Sequence, residues 1–118
     1  MNKLLVAAGA INAGLAVAAG AFAAHGLRER LATRALEIFE TGARYQMYHA
    51  LAMILAALVA TNGARTAGWI FQAGIVVFSG SLYALALTGV RTFGAITPIG
   101  GLAFLAGWAL LVWVAIAR

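Results

Sequence analysis

LLVAAGAINAGLAVAAGAFAA, residues 4–24, is the stretch on which the fold turns. It carries no charge, and it meets the roughly 20 residues a helix needs to cross the hydrocarbon core of a bilayer. Lys3 precedes it, and Ala21-Phe22-Ala23 resembles a signal-peptidase site. The run exceeds the roughly 7–15 residues of a signal core, so it is expected to persist as a first span. The remainder of the 118-residue chain has the same character: 64% of residues are hydrophobic and only 9% are charged. Mean hydropathy is +0.97. Soluble domains carry about a quarter charged residues, and this chain has too few polar groups to cover a soluble surface. The expectation is therefore an all-α integral membrane protein.

Working outward, further apolar runs predict spans over about 45–61, 66–88 and 98–117, making residues 1–118 a single transmembrane domain. Gly63 suits the position after a helix end, and Gly89 stops the third span. Val90 to Ile96 reads as a loop, Thr97 as an N-cap and Pro98 as the first residue of the fourth span. Residues 28–43 differ. At 100° per residue, Leu31, Leu36, Ile38, Phe39 and Ala43 fall on one half of a helix, while Glu29, Arg30, Arg34, Glu37, Glu40 and Arg44 fall on the other. Glu40 and Arg44 have the spacing of a favourable i,i+4 pair. This segment is expected to lie in the membrane interface and to continue into the second span after a bend near Gly42. The architecture expected is thus a transmembrane four-helix bundle with one amphipathic interfacial helix between spans 1 and 2.

Four spans put both termini on one side with Lys3, Arg65 and Arg118, and put Arg28, Arg30, Arg34, Arg44 and Arg91 on the other. The positive-inside rule favours a cytoplasmic location for the second group and external termini. The eight basic residues sit at the ends of apolar runs and form no dense patch, which argues for lipid headgroups and against nucleic acid. The lipid bilayer is the expected partner, with a second copy of the chain or another membrane protein as further candidates.

Chemistry within the spans rests on few groups. Gln72, Ser79 and Tyr83 step along one face of the third span and need inward partners in hydrocarbon. His25 and His49 close span 1 and open span 2, with Tyr45 one turn from His49. Ser81 and Thr97 complete a candidate polar core or ligand site near the end of the bundle that carries the amphipathic segment. Gly14 and Gly20, each four residues after an alanine, and Gly100 and Gly101 are candidates for close helix packing. With no cysteine, thiolate metal sites and disulfides are excluded. The two histidines lack ligand spacing, so neither a metal nor another cofactor is expected. All three carboxylates lie on one amphipathic face, and no nucleophile motif or phosphate loop is present, so the chain does not read as an enzyme. Two readings stay open. One is a non-enzymatic membrane protein with a structural polar core; the other is a small-molecule or proton-handling protein using the His/Tyr/Ser/Gln cluster.

Gly20-Ala21-Phe22-Ala23-Ala24-His25-Gly26-Leu27 resembles a signature of the domain-of-unknown-function 423 family, which includes the bacterial YgdD-like inner-membrane proteins. Tyr48-His49-Ala50-Leu51-Ala52, Phe78-Ser79-Gly80-Ser81-Leu82-Tyr83 and Thr97-Pro98-Ile99-Gly100-Gly101 resemble its other signatures, with Gly107-Trp108 in keeping. Ala23 stands where the family pattern has glycine. The resemblance covers nearly the whole chain. It implies a four-span protein of the inner membrane, of undetermined activity, whose characteristic core includes His25, His49, Ser79, Ser81, Tyr83 and Pro98. It supplies no catalytic residue.

Overall fold

The computed structural model describes residues 1–117, and these are almost wholly helical, with no strand among them. Four helices follow one another: α1 (Lys3–Leu27), α2 (Thr33–Val59), α3 (Asn62–Thr88) and α4 (Arg91–Ile116). α1, α3 and α4, of 25, 27 and 26 residues, are each long and apolar enough to cross a membrane. At 1.5 Å per residue they measure about 40 Å, against about 30 Å of hydrocarbon. α2 has 27 residues, but Arg34, Glu37, Glu40 and Arg44 occupy its first half and its apolar stretch begins only after His49.

Three sequence expectations change. The amphipathic segment is no separate element: residues 28–32 are non-helical, and from Thr33 the chain runs as one uninterrupted helix through Gly42. Gly42 serves packing here. A Cβ there would lie 3.0 Å from the Tyr83 ring and 3.3 Å from the Ser79 carbonyl, so glycine lets α3 approach. The fourth helix begins at Arg91, seven residues early, and Pro98 sits inside it. Proline withholds its N–H from the helix ladder. The carbonyl left without its helix donor is that of Gly94, four residues back, and the Thr97 hydroxyl donates to the neighbouring Phe93 carbonyl at 3.2 Å. Finally, Ala60 and not Gly63 closes α2, with φ of 61°. A left-handed alanine costs about 1–2 kcal/mol. Thr61 offsets part of this by capping α3, its hydroxyl accepting from the Ala64 amide at 3.1 Å, while Gly63 lies within α3 against Val114.

α2 and α3 pack at the centre, α1 flanks α2, and α4 flanks α3. The bundle is oblong, with extents of 50 × 25 × 18 Å. Two apolar cores lie along it. Leu5, Ala52, Met53, Ala56, Phe71 and Phe104 form the larger one, in the half holding the termini. Ala23, Leu27, Phe39 and Ala86 form the smaller one at the opposite end. Small residues bring the helices close: a Cβ at Gly100 would strike the backbone of Phe78, and one at Gly68 would strike Leu5. Gly101 stands at the rim of this contact, 3.8 Å from Phe78, and Gly14 and Gly20 have nothing within 4 Å. Those two therefore pack no helix within the chain. Two single turns of wider π-helix interrupt the α geometry, at Ala23–Leu27 in α1 and Ile75–Ser79 in α3.

Candidate functional site

Between the two cores the helices present polar groups. Leu5, Gly9, Asn12 and Ala16 recur at helical spacing on the buried face of α1, so Asn12 is carried inward near the middle of its helix. Gln46 occupies the same level on α2 and is buried. Gln72 lies one turn beyond Gly68 on α3, where the missing side chain admits Leu5 of α1. The three amides meet. Asn12 Nδ2 donates to Gln72 Oε1 at 2.8 Å, and Gln46 Nε2 donates to Asn12 Oδ1 at 3.1 Å. The Tyr83 hydroxyl extends the series, donating to Gln46 Oε1 at 2.7 Å. Tyr83 lies well along α3, but helical side chains lean toward their own N-terminus, and its ring reaches back over Gly42 to Gln46. The result is a one-directional chain, Tyr83 to Gln46 to Asn12 to Gln72, joining three helices. Asn12 also donates to the Ala8 carbonyl at 2.9 Å. The amide nitrogen of Gln72 donates to no group among the described residues.

This chain borders a groove of about 430 Å³ that opens sideways between α1 and α3. Its outer walls are Ile11, Leu15 and Val76, each more than half exposed. Gln46, Gln72 and Tyr83 line its inner part. An apolar mouth over a few convergent polar groups is the usual form of a small-molecule site.

His49 belongs to a second arrangement. Its Nδ1 lies 2.8 Å from the Tyr45 carbonyl, and its Nε2 lies 3.1 Å from the indole nitrogen of Trp108. A carbonyl can only accept and an indole N–H can only donate, which fixes the neutral tautomer with hydrogen on Nδ1. The ring stacks on Phe104 with centroids 3.5 Å apart and an angle of 6°, and Phe71 and Trp108 pack around it. Tyr45 contributes its carbonyl to this box, and its ring leans on Phe78 at 4.9 Å.

The remaining polar groups join helices in pairs. Ser79, fully buried, donates to the Gly42 carbonyl of α2 at 2.7 Å. Ser81 and Thr97 share a hydrogen bond between α3 and α4. His25 stands apart: it is exposed on the π turn ending α1 and joins neither arrangement. Chain direction predicts for it the depth of His49, but it lies two residues from the end of α1, while His49 lies sixteen residues inside α2, about 24 Å from its first residue. The polar layer also lies nearer mid-height than the end the sequence suggested. Asn12, Gln46 and Trp108, which complete the two arrangements, are absent from the sequence-based site. The signal for Asn12 was available, since it is the one polar side chain in residues 4–24.

Residues 19–101 match the family model described as "Protein of unknown function (DUF423)". The chain is 46% identical to the UPF0382 membrane protein YwdK of Bacillus subtilis, over 97% of both proteins. It is 49% identical to a UPF0382 membrane protein of Staphylococcus epidermidis, over 93% of both. No solved structure matches the chain significantly. With helices built to cross a membrane, and relatives named as membrane proteins over almost their whole length, this chain belongs to the family of membrane proteins described as protein of unknown function DUF423.

Proposed function

We propose that this protein is a four-span, non-enzymatic component of the bacterial plasma membrane whose polar layer is structural. The chain from Tyr83 through Gln46 and Asn12 to Gln72 carries this reading. Its members are neutral amides and a phenol bonded mainly to one another, with no base beside a nucleophile. Hydrogen bonds of this kind between membrane helices contribute about 0.6 kcal/mol each, a scale suited to holding helices in register. Support for α2 as a fourth crossing comes from its packing. It lies antiparallel between α1 and α3 along their length and joins α3 through Ala60 and Thr61 alone. A helix so held cannot lie flat on the surface while its neighbours cross. The end bearing Arg28, Arg30, Arg34, Arg44 and Arg91 then faces the cytoplasm.

Single cysteines test the topology. In intact cells Asn62→Cys should react with an impermeant thiol reagent and Ala32→Cys, in the segment between α1 and α2, should resist it. Reaction of both from one side would remove α2 as a crossing. A second reading, a site for a small neutral molecule, is favoured by the sideways groove and the unspent Gln72 donor. It would displace the first if a variant in that groove kept full thermal stability and lost a cellular phenotype.

A further inference from the structure

We infer that the flank of α2 facing α3 and α4 is a binding site for an anionic phospholipid, with Arg44 as its anchor. The inference rests on the reading of α2 as a crossing helix. Arg44 lies eleven residues inside α2, about 16 Å from its first residue. It is also within one turn of Gly42, whose carbonyl accepts from Ser79, nine residues inside the end of α3. Helices of about 40 Å overhang a 30 Å hydrocarbon layer by only about 5 Å at each end, so the Arg44 backbone lies within the apolar layer. An arginine at that depth needs a partner for its charge. The protein supplies little: among the described residues Arg44 makes no ion pair, and its bond to the Thr41 hydroxyl is long at 3.4 Å. Glu40, at the favourable i,i+4 spacing, does not pair with it. The one ion pair among the described residues joins Arg34 to Glu37 at 3.9 Å, both well exposed.

Geometry indicates where the missing charge comes from. Side chains of a helix lean toward its N-terminus, and the N-terminus of α2 is at the headgroup surface. Arg44 therefore snorkels toward lipid phosphates. Arg34, Glu37, Thr41 and Arg44 fall at helical spacing along one stripe of α2, and they border a groove of about 420 Å³ that Thr97 of α4 closes from the other side. Two guanidinium groups against one carboxylate leave this groove positive. Beside it, at the same level, Ile38, Phe78 and Leu82 present an apolar wall suited to the upper part of an acyl chain. A positive, hydroxyl-bearing stripe beside an apolar wall matches a lipid with a net negative headgroup better than a zwitterionic one.

Competition between phosphatidylglycerol and phosphatidylcholine for the detergent-solubilised protein, followed by native mass spectrometry, tests the site. The wild type should prefer phosphatidylglycerol, and Arg44→Gln should weaken that binding about fivefold, the effect of about 1 kcal/mol per arginine near the surface. Arg44→Lys should keep the preference, and Arg28→Gln, outside the groove, should leave it unchanged. Equal binding of the two lipids, an undiminished preference in Arg44→Gln, or displacement of phosphatidylglycerol by inorganic phosphate would each overturn the inference. If Arg44→Gln does not fold, Thr97→Leu takes its place, narrowing the groove, and an unchanged preference there overturns the inference equally. The labelling of Ala32→Cys and Asn62→Cys separates the two failures. Opposite sides with no lipid preference refute the lipid site alone, and the same side refutes the crossing on which it rests.

Discussion

His49 and Gln46 stand one turn apart on the same helix, yet their surroundings differ in kind. The imidazole has both nitrogens bonded and its face covered by Phe104 at 3.5 Å. The amide chain beside it is bonded in one direction and ends in a donor with no protein partner, beside an open groove. The titratable residue is thus the closed one, and the neutral residues hold the unspent capacity. Residue type gives the reverse ranking, since histidine is the versatile group and glutamine the inert one. Residual hydrogen-bonding capacity decides what a buried group can still do.

Four substitutions bear on that contrast. His49→Ala should have the largest effect, about 3 kcal/mol, because it opens a cavity under Phe104 and leaves the Trp108 indole unpaired. Thermal unfolding in detergent measures it, and a loss below about 1 kcal/mol would show that the box is not a packed unit. Asn12→Ala should cost about 1–2 kcal/mol, since it breaks the chain at its centre and frees both Gln46 and Gln72. Tyr83→Phe, at the chain's beginning, should cost only about 0.6 kcal/mol. If the two were equal, the chain would not act through Asn12. Gln72→Leu should cost about as much as Tyr83→Phe, about 0.6 kcal/mol, because it breaks the one link from Asn12 to Gln72 and leaves Asn12 bonded to Ala8. A cost matching that of Asn12→Ala would mean that the Gln72 donor has a partner in the bilayer.

Much of this was legible in the residues. Length and hydropathy mark α1 and α3 because lipid demands continuous apolar helix. The start of α4 was not legible. Thr97-Pro98 describes a helix cap in water and an interior kink site in lipid equally well, and only the packing of Gly94 near Leu85 distinguishes the two. Of the apolar half read over residues 28–43, Phe39 and Ala43 are buried, while Leu31, Leu36 and Ile38 are half-buried. The same angular separation arises whether a helix lies on the membrane or enters it beside two others, so it could not give the tilt. The polar face of α3 was read by counting at 3.6 residues per turn. By that count Val76 falls on the same face as Gln72, Ser79 and Tyr83, yet it is 63% exposed. The π turn at Ile75–Ser79 widens the helix there and breaks the count, and no propensity scale announces it.

That π turn works as slack written into the gene. A π turn amounts to one residue inserted into an α-helix and taken up as a single wider turn. The helix on either side therefore keeps the bearing of an α-helix one residue shorter. Removing a single residue from Ile75–Ser79 would leave an unbroken α-helix in which Ser81 still faces Thr97 and Tyr83 still faces Gln46. The same deletion in α2, which has no such turn, would rotate everything beyond it by about 100°. Among natural variants of this protein, single-residue deletions in residues 75–79 should be commoner than deletions in residues 33–59.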